Sequence, residues 1–319
     1  MQSLFALILG FFLDLLIGDP HGLPHPVVFI GKLIDRSEKA MRKLFPKTVL
    51  GEKFAGLALW LLVVSVSTAL PVCILHVAGH WNRYLRFALE SVMCAQILAT
   101  KSLRQESMRV YRALKTGDLS QARCAVSMIV GRDTQSLDAA GVTRAAVETV
   151  AENTSDGVIA PMLFLAIGGA PLGFFYKAVN TMDSMLGYVE MPYRNIGLVS
   201  AKMDDVFNFL PARISGLLML AAGVLLGMDG KNGWKIFCRD RYNHASPNSA
   251  QTEAVCAGLM DLRLAGDAWY HGVLHKKKFI GDPLREIVPE DIPKAGRLLY
   301  LTAFLGLAVF SGVKLLFLL

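Results

Sequence analysis

Apolar residues are concentrated in five strong stretches that polar segments separate. These stretches are residues 1–18, 54–79, 158–176, 214–228 and 298–319. Residues 86–100 form a weaker one. A helix needs about 20 apolar residues to cross a bilayer, and 54–79 and 298–319 reach that length comfortably. The pattern predicts an all-α, polytopic membrane protein whose direct partner is the lipid bilayer.

The polar segment at about 101–157 predicts a helical cytosolic insert. Within it, Asp118 precedes an apolar stripe and Gln121 follows three residues later, which indicates the start of a helix. A second polar segment, at about 229–297, predicts a cytosolic loop. No sustained alternation of polar and apolar residues indicates strands. We therefore expect one integral-membrane domain over 1–319 with these two polar additions.

A further helix is predicted at about 136–152. It carries Arg144, Glu148 and Glu152 at four-residue spacing, and residues four apart lie on the same face of a helix. The three charged side chains therefore share one face.

The stretch 158–176 contains Gly168-Gly169-Ala170-Pro171 near its middle. Two half-helices that meet at this turn would form a re-entrant hairpin, which membranes tolerate where protein buries the broken backbone. The alternative is one straight span, which would place Asp156 and Asp183 on opposite sides of the membrane. The hairpin is the topology that we predict.

Composition and charge exclude an ordinary soluble domain. The chain is 53% hydrophobic and 18% charged, with a mean hydropathy of +0.43. Its formal net charge is +7, with seven Lys or Arg residues at 32–53 and eleven at 231–297. The positive-inside rule places both segments in the cytoplasm. We interpret the charge as an orientation signal and expect no nucleic-acid partner.

Two further features bear on the compartment. The first apolar stretch has no Lys or Arg before Lys32 and contains Asp14. Because this is atypical of a cleaved signal peptide, we expect the segment to be retained. Five cysteines without CxxC spacing favour a reduced compartment, without a disulfide framework or a zinc site.

Carboxylates and amides border the apolar stretches in three places, which we predict to be short loops. The residues concerned are Glu152, Asn153 and Asp156, then Asn180 and Asp183, and then Asp204, Asp205 and Asn208. Polar groups next to hydrocarbon usually face protein, water, a cation or a ligand. The sequence therefore predicts that these groups converge on a polyanion and a metal at the membrane surface.

Asp204 and Asn208 lie four apart, on one predicted helix face, and Asp205 is adjacent. Hard oxygen ligands of this kind suit Mg²⁺, which favours one or two carboxylates plus substrate phosphate. Arg213 follows closely and would be a bidentate clamp on phosphate or carboxylate. The alternative is structural: the Asp residues would cap a helix N-terminus, and Arg213 would only snorkel towards water. For Glu152, Asn153 and Asp156 the alternative is a helix end that runs into a turn.

Two other polar segments are candidates for ligand contacts. Asp19 and His25 belong to a proline-rich loop after the first apolar stretch, where His25 could bind a carboxylate or phosphate. Ser246, Asn248 and Glu253 belong to a dense polar stretch whose backbone N–H groups could hold an anion. A structural turn and an ordinary helix start are the respective alternatives.

Several blocks of sequence resemble the adenosylcobinamide-phosphate synthases of cobalamin biosynthesis, from about residue 10 to 270. They are LDLLIGDP at 13–20 with HP at 25–26, EN at 152–153 with DG at 156–157, KAVNTMDSM at 177–185, DD at 204–205 with PAR at 211–213, and SPNS at 246–249 followed by EA at 253–254 and AG at 257–258. The family more often carries Asn-Ala-Gly in the last block, so Ser249 departs from its pattern.

The resemblance implies a multi-pass enzyme of the inner membrane with its active site on the cytoplasmic side. Its reaction would be the ligation of aminopropanol phosphate, or a similar amino-alcohol phosphate, to the free propionate of adenosylcobyric acid. The product would be adenosylcobinamide phosphate, with ATP and Mg²⁺ as cofactors. The resemblance is compatible with an oligomer and with contacts to other cobalamin-assembly enzymes.

The residues suit that chemistry, since anionic reactants need metal and arginine and the amine needs a base. We predict catalytic roles for Glu152, Asp156 and Asp183, and magnesium binding by Asp204 and Asp205. For substrate binding we predict Asp19, His25, Asn153, Asn180, Asn208, Arg213, Ser246, Asn248 and Glu253. There are two competing interpretations. One is an ion-coupled transporter, whose helices are also broken at acidic residues, and the other is a non-catalytic membrane sensor.

Overall fold

The computed structural model describes residues 1–19, 25–188, 191–270 and 272–317. Over these ranges the chain is mostly helical, as predicted, and it divides into two compact units. The first unit comprises Met1–Ala99, Ala160–Asn208 and Val309–Leu319, and the second comprises Thr100–Ile159 and Phe209–Ala308. Both predicted polar segments, 101–157 and 229–297, belong to the second unit.

The described part of the chain forms helices and four very short strands. In chain order the helices are α1 (Gln2–Ile17), α2 (Pro26–Leu44), α3 (Val49–Trp81), α4 (Arg83–Ile97), α5 (Thr100–Lys115), α6 (Leu119–Ser127), α7 (Ala139–Thr154), a π-helical turn (Ser155–Ile159), α8 (Ala160–Leu186), α9 (Leu198–Phe207), α10 (Phe209–Leu225), α11 (Gly230–Asp240), α12 (Ser249–Leu259) and α13 (Asp291–Leu316). The strands are β1 (Leu264–Ala265), β2 (Ala268–Tyr270), β3 (Val273–His275) and β4 (Phe279–Ile280).

The predicted helix start after Asp118 is confirmed by its cap, and the helix predicted from about residue 136 begins at Ala139. The carboxylate of Asp118 accepts a hydrogen bond from the backbone N–H of Gln121 over 2.8 Å, at the start of α6. Asp138 caps α7 in the same way, through the N–H of Gly141 over 2.7 Å. Each cap satisfies a backbone donor that the first turn of a helix leaves unpaired.

The four strands contradict the expectation that the chain contains no strands. β1 pairs antiparallel with β4, and β2 pairs antiparallel with β3. Strands of two or three residues are too short to show the alternation of polar and apolar positions that identifies a strand in a sequence.

Three helical segments in the described ranges are long and apolar enough to cross a membrane. They are Val49–Trp81, Ala139–Leu186 and Asp291–Leu316, and α9 with α10 would be a fourth if they form one broken span. In the first unit, α2, α3 and α8 enclose an apolar core that includes Ile34, Leu59 and Met182. These features confirm a polytopic helical membrane protein.

The predicted break at Gly168 and Gly169 is confirmed. Gly168 has non-helical backbone angles, and Gly169 has φ 67° and ψ −162°, a conformation that is essentially limited to glycine. The ring of Phe164 stacks on Tyr176 with 5.0 Å between centroids. Residues twelve positions apart on a straight helix would be about 18 Å apart, so the chain reverses within α8 and forms a hairpin.

In the second unit every residue of α12 is buried, because α7, α10 and α11 pack against it. Gly258 permits the close approach of α11, since a Cβ at this position would lie 2.7 Å from the backbone oxygen of Asn232. The side-chain amide of Asn232 in turn donates to the backbone oxygen of Gly258 over 2.9 Å. The polar side chains of α12, including Glu253, consequently lie inside this unit.

Candidate active site

In the first unit, a hydrogen-bonded network surrounds the carboxylate of Asp204. Asn208 donates its side-chain amide to Oδ2 of Asp204 over 2.9 Å, and Asn180 donates to Oδ1 over 3.4 Å. Tyr176 donates its hydroxyl to Oδ1 of Asn208 over 2.8 Å. The network therefore joins α8 to α9, and the predicted helical spacing of Asp204 and Asn208 is confirmed.

The groups predicted to lie in three short loops lie on helices instead. Asn180 and Asp183 belong to the last turns of α8, and Asp204 and Asp205 belong to α9. Asp156 lies in the π-helical turn that follows α7. The loop prediction was wrong because polar residues at the end of an apolar stretch resemble a helix boundary, although here the helices continue through them.

Asp205 differs from Asp204 in its surroundings. Asp204 is buried, whereas Asp205 is half-buried and lies 3.8 Å from the ammonium group of Lys202. Adjacent residues on a helix point about 100° apart, so the two carboxylates leave α9 in different directions. Asp183 is also half-buried, near the end of α8.

His25 lies at the start of α2 and uses both ring nitrogens locally. Its Nδ1 accepts the backbone N–H of Val27 over 3.3 Å, and its Nε2 lies 3.1 Å from Oδ1 of Asp19. The imidazole therefore caps the helix and holds Asp19, as the structural alternative for this loop expected. Residues 20–24 lie outside the described ranges.

In the second unit, Glu148 is held by two partners. Arg132 forms an ion pair with its Oε2, and the backbone N–H of Ala265 donates to its Oε1 over 2.6 Å. Burial of Arg132 works against its charge, but the attraction of Glu148 prevails and raises the pKa of the guanidinium. The pair ties α7 to β1.

Glu253 lies on the buried helix α12, close to Glu148 and Glu152. Burial, together with the negative charges of Glu152 and Glu148, raises the pKa of the Glu253 carboxyl well above its ordinary value of 4.5. Arg132 and Lys277 oppose this shift, but their effects are smaller. A carboxyl with a strongly raised pKa among other charged groups is typical of a functional site.

His244 completes this group, which we call the Glu253 cluster: Arg132, Glu148, Glu152, His244, Glu253 and Lys277. Burial lowers the pKa of His244, and Lys277 contributes in the same direction, whereas Glu152 opposes it. Nδ1 of His244 accepts the backbone N–H of Ser246 over 3.1 Å, so the ring proton of the neutral form lies on Nε2. The cluster thus combines carboxylates with three nitrogen-bearing side chains.

Arg213 lies on α10 and contacts the polar segment before α12. Its guanidinium stacks on the ring of Phe209, 3.5 Å from the centroid, and donates to the backbone oxygen of Phe209. It also donates to Oδ1 of Asn248 over 3.3 Å. Ser246 accepts the backbone N–H of Asn248 over 3.3 Å. These contacts fix Arg213 and the 246–248 turn relative to each other.

The structure thus groups the predicted residues in two sets. Within the first unit it brings together Asn180, Asp204 and Asn208, and within the second it brings Glu152 close to Glu253 and Arg213 close to Asn248. Asn153 donates its amide to Thr149 on its own helix over 3.0 Å. The convergence of both sets on one ligand stays a prediction.

Sequence reasoning missed Arg132 and Lys277 as members of the Glu253 cluster. Arg132 is a single basic residue, and Lys277 is the middle one of three consecutive lysines, whose charge we interpreted as an orientation signal. Both lie far along the chain from their partners. The four-residue spacing of Glu148 and Glu152 was the available signal for the acidic half of this cluster.

The carboxylates of Asp204 and Asp205 stay the predicted ligands of a magnesium ion that also binds substrate phosphate. Within the described ranges, no group of three or more His, Cys, Asp or Glu side chains is arranged to hold a metal. Magnesium does not require such a cage, since one or two carboxylates with phosphate oxygens suffice. Asp205 is the more accessible of the two predicted ligands, and the amides of Asn180 and Asn208 orient Asp204.

Comparison with known proteins gives a consistent family assignment. A family model described as "CobD/Cbib protein" matches residues 7–299. The cobalamin biosynthesis protein CobD of Clostridium perfringens is 45% identical over 303 residues, which is 95% of each chain. The protein of the same name from Klebsiella pneumoniae is 45% identical over 313 residues, 98% of each chain. The cobalamin biosynthesis protein CbiB of Salmonella typhimurium is 43% identical over 316 residues, again 98% of each chain.

No solved structure matches the chain. The family match and these relatives cover nearly its whole length. The chain therefore belongs to the CobD/CbiB family of cobalamin biosynthesis proteins.

Proposed function

We propose that this protein catalyses the ATP-dependent formation of an amide between the free propionate of adenosylcobyric acid and the amine of aminopropanol phosphate, or of a similar amino-alcohol phosphate. The product is adenosylcobinamide phosphate. The names of its relatives support a role in cobalamin biosynthesis, and the described site supports the reaction. The observation that carries the proposal is the Glu253 cluster, in which Arg132 pairs with Glu148 and Glu253 lies buried on α12 close to Glu152.

The reaction needs a base, because the amine of the second substrate is protonated near neutral pH. A general base works best when its pKa lies near the working pH, and an ordinary carboxyl is too acidic for that. Burial and the charges of Glu152 and Glu148 raise the pKa of Glu253 in this direction. We assign Glu253 as the base and Glu152 as the residue that tunes it.

The reaction also needs activation of the propionate, since a carboxylate is a poor electrophile. Transfer of a phosphoryl or adenylyl group from ATP to a carboxylate oxygen supplies a leaving group. The amine nitrogen then attacks the carbonyl carbon, and phosphate or AMP departs with that oxygen. In this proposal Arg213 and Lys277 offset negative charge on the reactants, and Asp156 and Asp183 remain candidate catalytic carboxylates.

Magnesium would offset the charge of the ATP phosphates during this transfer. Asp205 and Asp204 would hold it, with Asn180 and Asn208 keeping Asp204 in position. His25 caps α2 and also contacts Asp19, so we assign both residues to the support of this unit rather than to substrate contact.

The proposal is tested with purified protein in detergent, supplied with adenosylcobyric acid, aminopropanol phosphate, ATP and magnesium. We expect adenosylcobinamide phosphate by mass spectrometry, and no product when any one component is omitted. Product formed equally well without ATP would contradict the ligase. Absence of product from folded protein would favour a transporter or a sensor.

A further inference from the structure

A polar cavity lies in the second unit, lined by side chains that the proposed reaction does not use. Its volume is about 480 Å³. Its charged lining residues are Arg144 of α7, Arg263, Arg285 and Glu286, and Leu262 and Pro283 contribute apolar surface. We call it the arginine cavity. The formal charge of its lining is +2, from three guanidinium groups and one carboxylate.

Two of the three arginines are held in place by neighbouring groups. Arg285 forms two hydrogen bonds of 2.8 Å with the carboxylate of the buried Asp291. The guanidinium of Arg263 lies over the ring of Phe279, 4.3 Å from its centroid, and this residue is exposed to solvent. Arg285 is therefore already neutralised, whereas the contact of Arg263 leaves its charge available.

Among the described residues, Arg144 forms no ion pair with Glu148, the carboxylate that its position on α7 would provide. Glu148 lies one turn further along α7, but Arg132 and the backbone N–H of Ala265 occupy its two oxygens. The Nε of Arg144 is buried and makes no hydrogen bond within the part of the chain that the structure describes. A buried donor without an acceptor is unfavourable, and a bound anion would remove this cost.

We propose that the arginine cavity binds the phosphate group of a small anionic reactant. A guanidinium offers paired donors that match two oxygens of a phosphate, and Arg144 and Arg263 both line the cavity. The apolar lining residues Leu262 and Pro283 suit the carbon part of the molecule. Asp291 holds Arg285 in place.

The cavity lies close to the Glu253 cluster along α7. Arg144 and Glu148 are one turn apart, about 6 Å along the helix axis, and Arg263 is two residues before Ala265, which binds Glu148. A phosphate held here would place the rest of a short molecule near the cluster. The bound phosphate group would belong to aminopropanol phosphate or to ATP, and this choice of molecules rests on the proposed function. The inference that the cavity binds a phosphate group does not depend on that function.

Binding measured on the full-length protein in detergent tests this inference. Isothermal titration calorimetry is carried out with inorganic phosphate, aminopropanol phosphate and ATP on the wild type, Arg144→Gln, Arg263→Gln and Arg297→Gln. Arg297 is exposed and does not line the cavity, so its variant is the matched control for charge. We expect Arg144→Gln and Arg263→Gln to weaken binding of at least one phosphate compound about tenfold or more, and Arg297→Gln to leave it unchanged.

The compound that both cavity variants weaken identifies the source of the phosphate. Because Arg263 is exposed, its variant decides the result if Arg144→Gln does not fold. The inference is overturned if no phosphate compound binds the wild type, or if the cavity variants bind like the control. Product formation is measured on the same wild-type preparation. Arginine-dependent binding without product would refute the proposed function but not the cavity.

Discussion

The ring of Phe164 stacks on the ring of Tyr176 at an interplanar angle of 21°, although twelve positions separate the two residues. This contact exists because the chain reverses at Gly168 and Gly169. The hydroxyl of the same tyrosine binds Asn208, which in turn binds Asp204. The hairpin thereby positions one end of the network around the predicted magnesium ligands.

Gly169→Ala tests the backbone geometry of the hairpin. A methyl group at this position would lie 2.5 Å from a carboxylate oxygen of Glu90, on a backbone whose positive φ disfavours any side chain. We expect a loss of about 1–3 kcal/mol in the free energy of unfolding, seen as a lower thermal midpoint in detergent. Gly312→Ala, where the added methyl meets open space, is the control. Equal midpoints for both variants would mean that the turn is formed differently.

The hairpin also predicts membrane sidedness. In a cysteine-free background, Asn153→Cys and Ser184→Cys should react with a membrane-impermeant thiol reagent from the same face of the membrane. Both positions are at least partly exposed to solvent. Labelling from opposite faces would indicate one straight crossing between them.

The raised pKa of Glu253 predicts a specific dependence of stability on pH. The folded protein keeps this carboxyl protonated above its ordinary pKa of 4.5, where the unfolded chain loses the proton. The free energy of unfolding therefore falls as pH rises from about 4.5 to the folded pKa. Glu253→Gln removes this loss, so the thermal midpoint of the variant should rise relative to that of the wild type as pH increases above about 4.5.

Glu253→Gln should also reduce product formation by about 10²-fold or more, as expected for removal of a general base. Glu290→Gln is the matched control, because Lys115 lowers the pKa of this exposed carboxyl. The thermal midpoint of Glu290→Gln should therefore not rise relative to that of the wild type as pH increases. A Glu253→Gln variant that is active, or that is not stabilised at higher pH, would remove Glu253 from the role of base.

Asp205→Asn tests the magnesium assignment. We expect product formation to fall about tenfold or more and to require more magnesium, since the variant loses one charged oxygen ligand. Folding and membrane insertion should be unchanged. Asp35→Asn, an exposed change on α2, should behave like the wild type across the same magnesium titration. If Asp205→Asn does so as well, the assignment fails.

Arg213→Lys separates anion binding from structural support. Lysine keeps the charge but lacks the planar fork and the stacking surface of arginine. We expect a higher KM for the anionic substrate or a lower kcat, with an unchanged thermal midpoint. An active lysine variant together with a strongly destabilised Arg213→Ala would show that Arg213 only connects α10 to Asn248.

The sequence allowed the prediction of features that depend on near neighbours. The cap at Asp118, the break at Gly168 and Gly169, and the pairing of Asp204 with Asn208 each follow from residues a few positions apart. The Glu253 cluster could not be predicted in this way, because it depends on residues far apart in the chain, such as Glu148 and Ala265, which are 117 positions apart. A single basic residue such as Arg132 gives no local sign of the carboxylate that it will meet in the fold. The strands escaped prediction for a different reason, since each has only two or three residues, too few to show a sustained alternation of polar and apolar positions.

The most direct test of the proposed ligase follows one oxygen atom. Adenosylcobyric acid labelled with ¹⁸O in its free carboxylate is converted by the purified protein, and the small products are analysed by mass spectrometry. Activation by ATP predicts that one labelled oxygen leaves for each amide formed, in phosphate if the intermediate is an acyl phosphate or in AMP if it is an adenylate. Amide formation without ¹⁸O in either product would contradict ATP-dependent activation of the carboxylate.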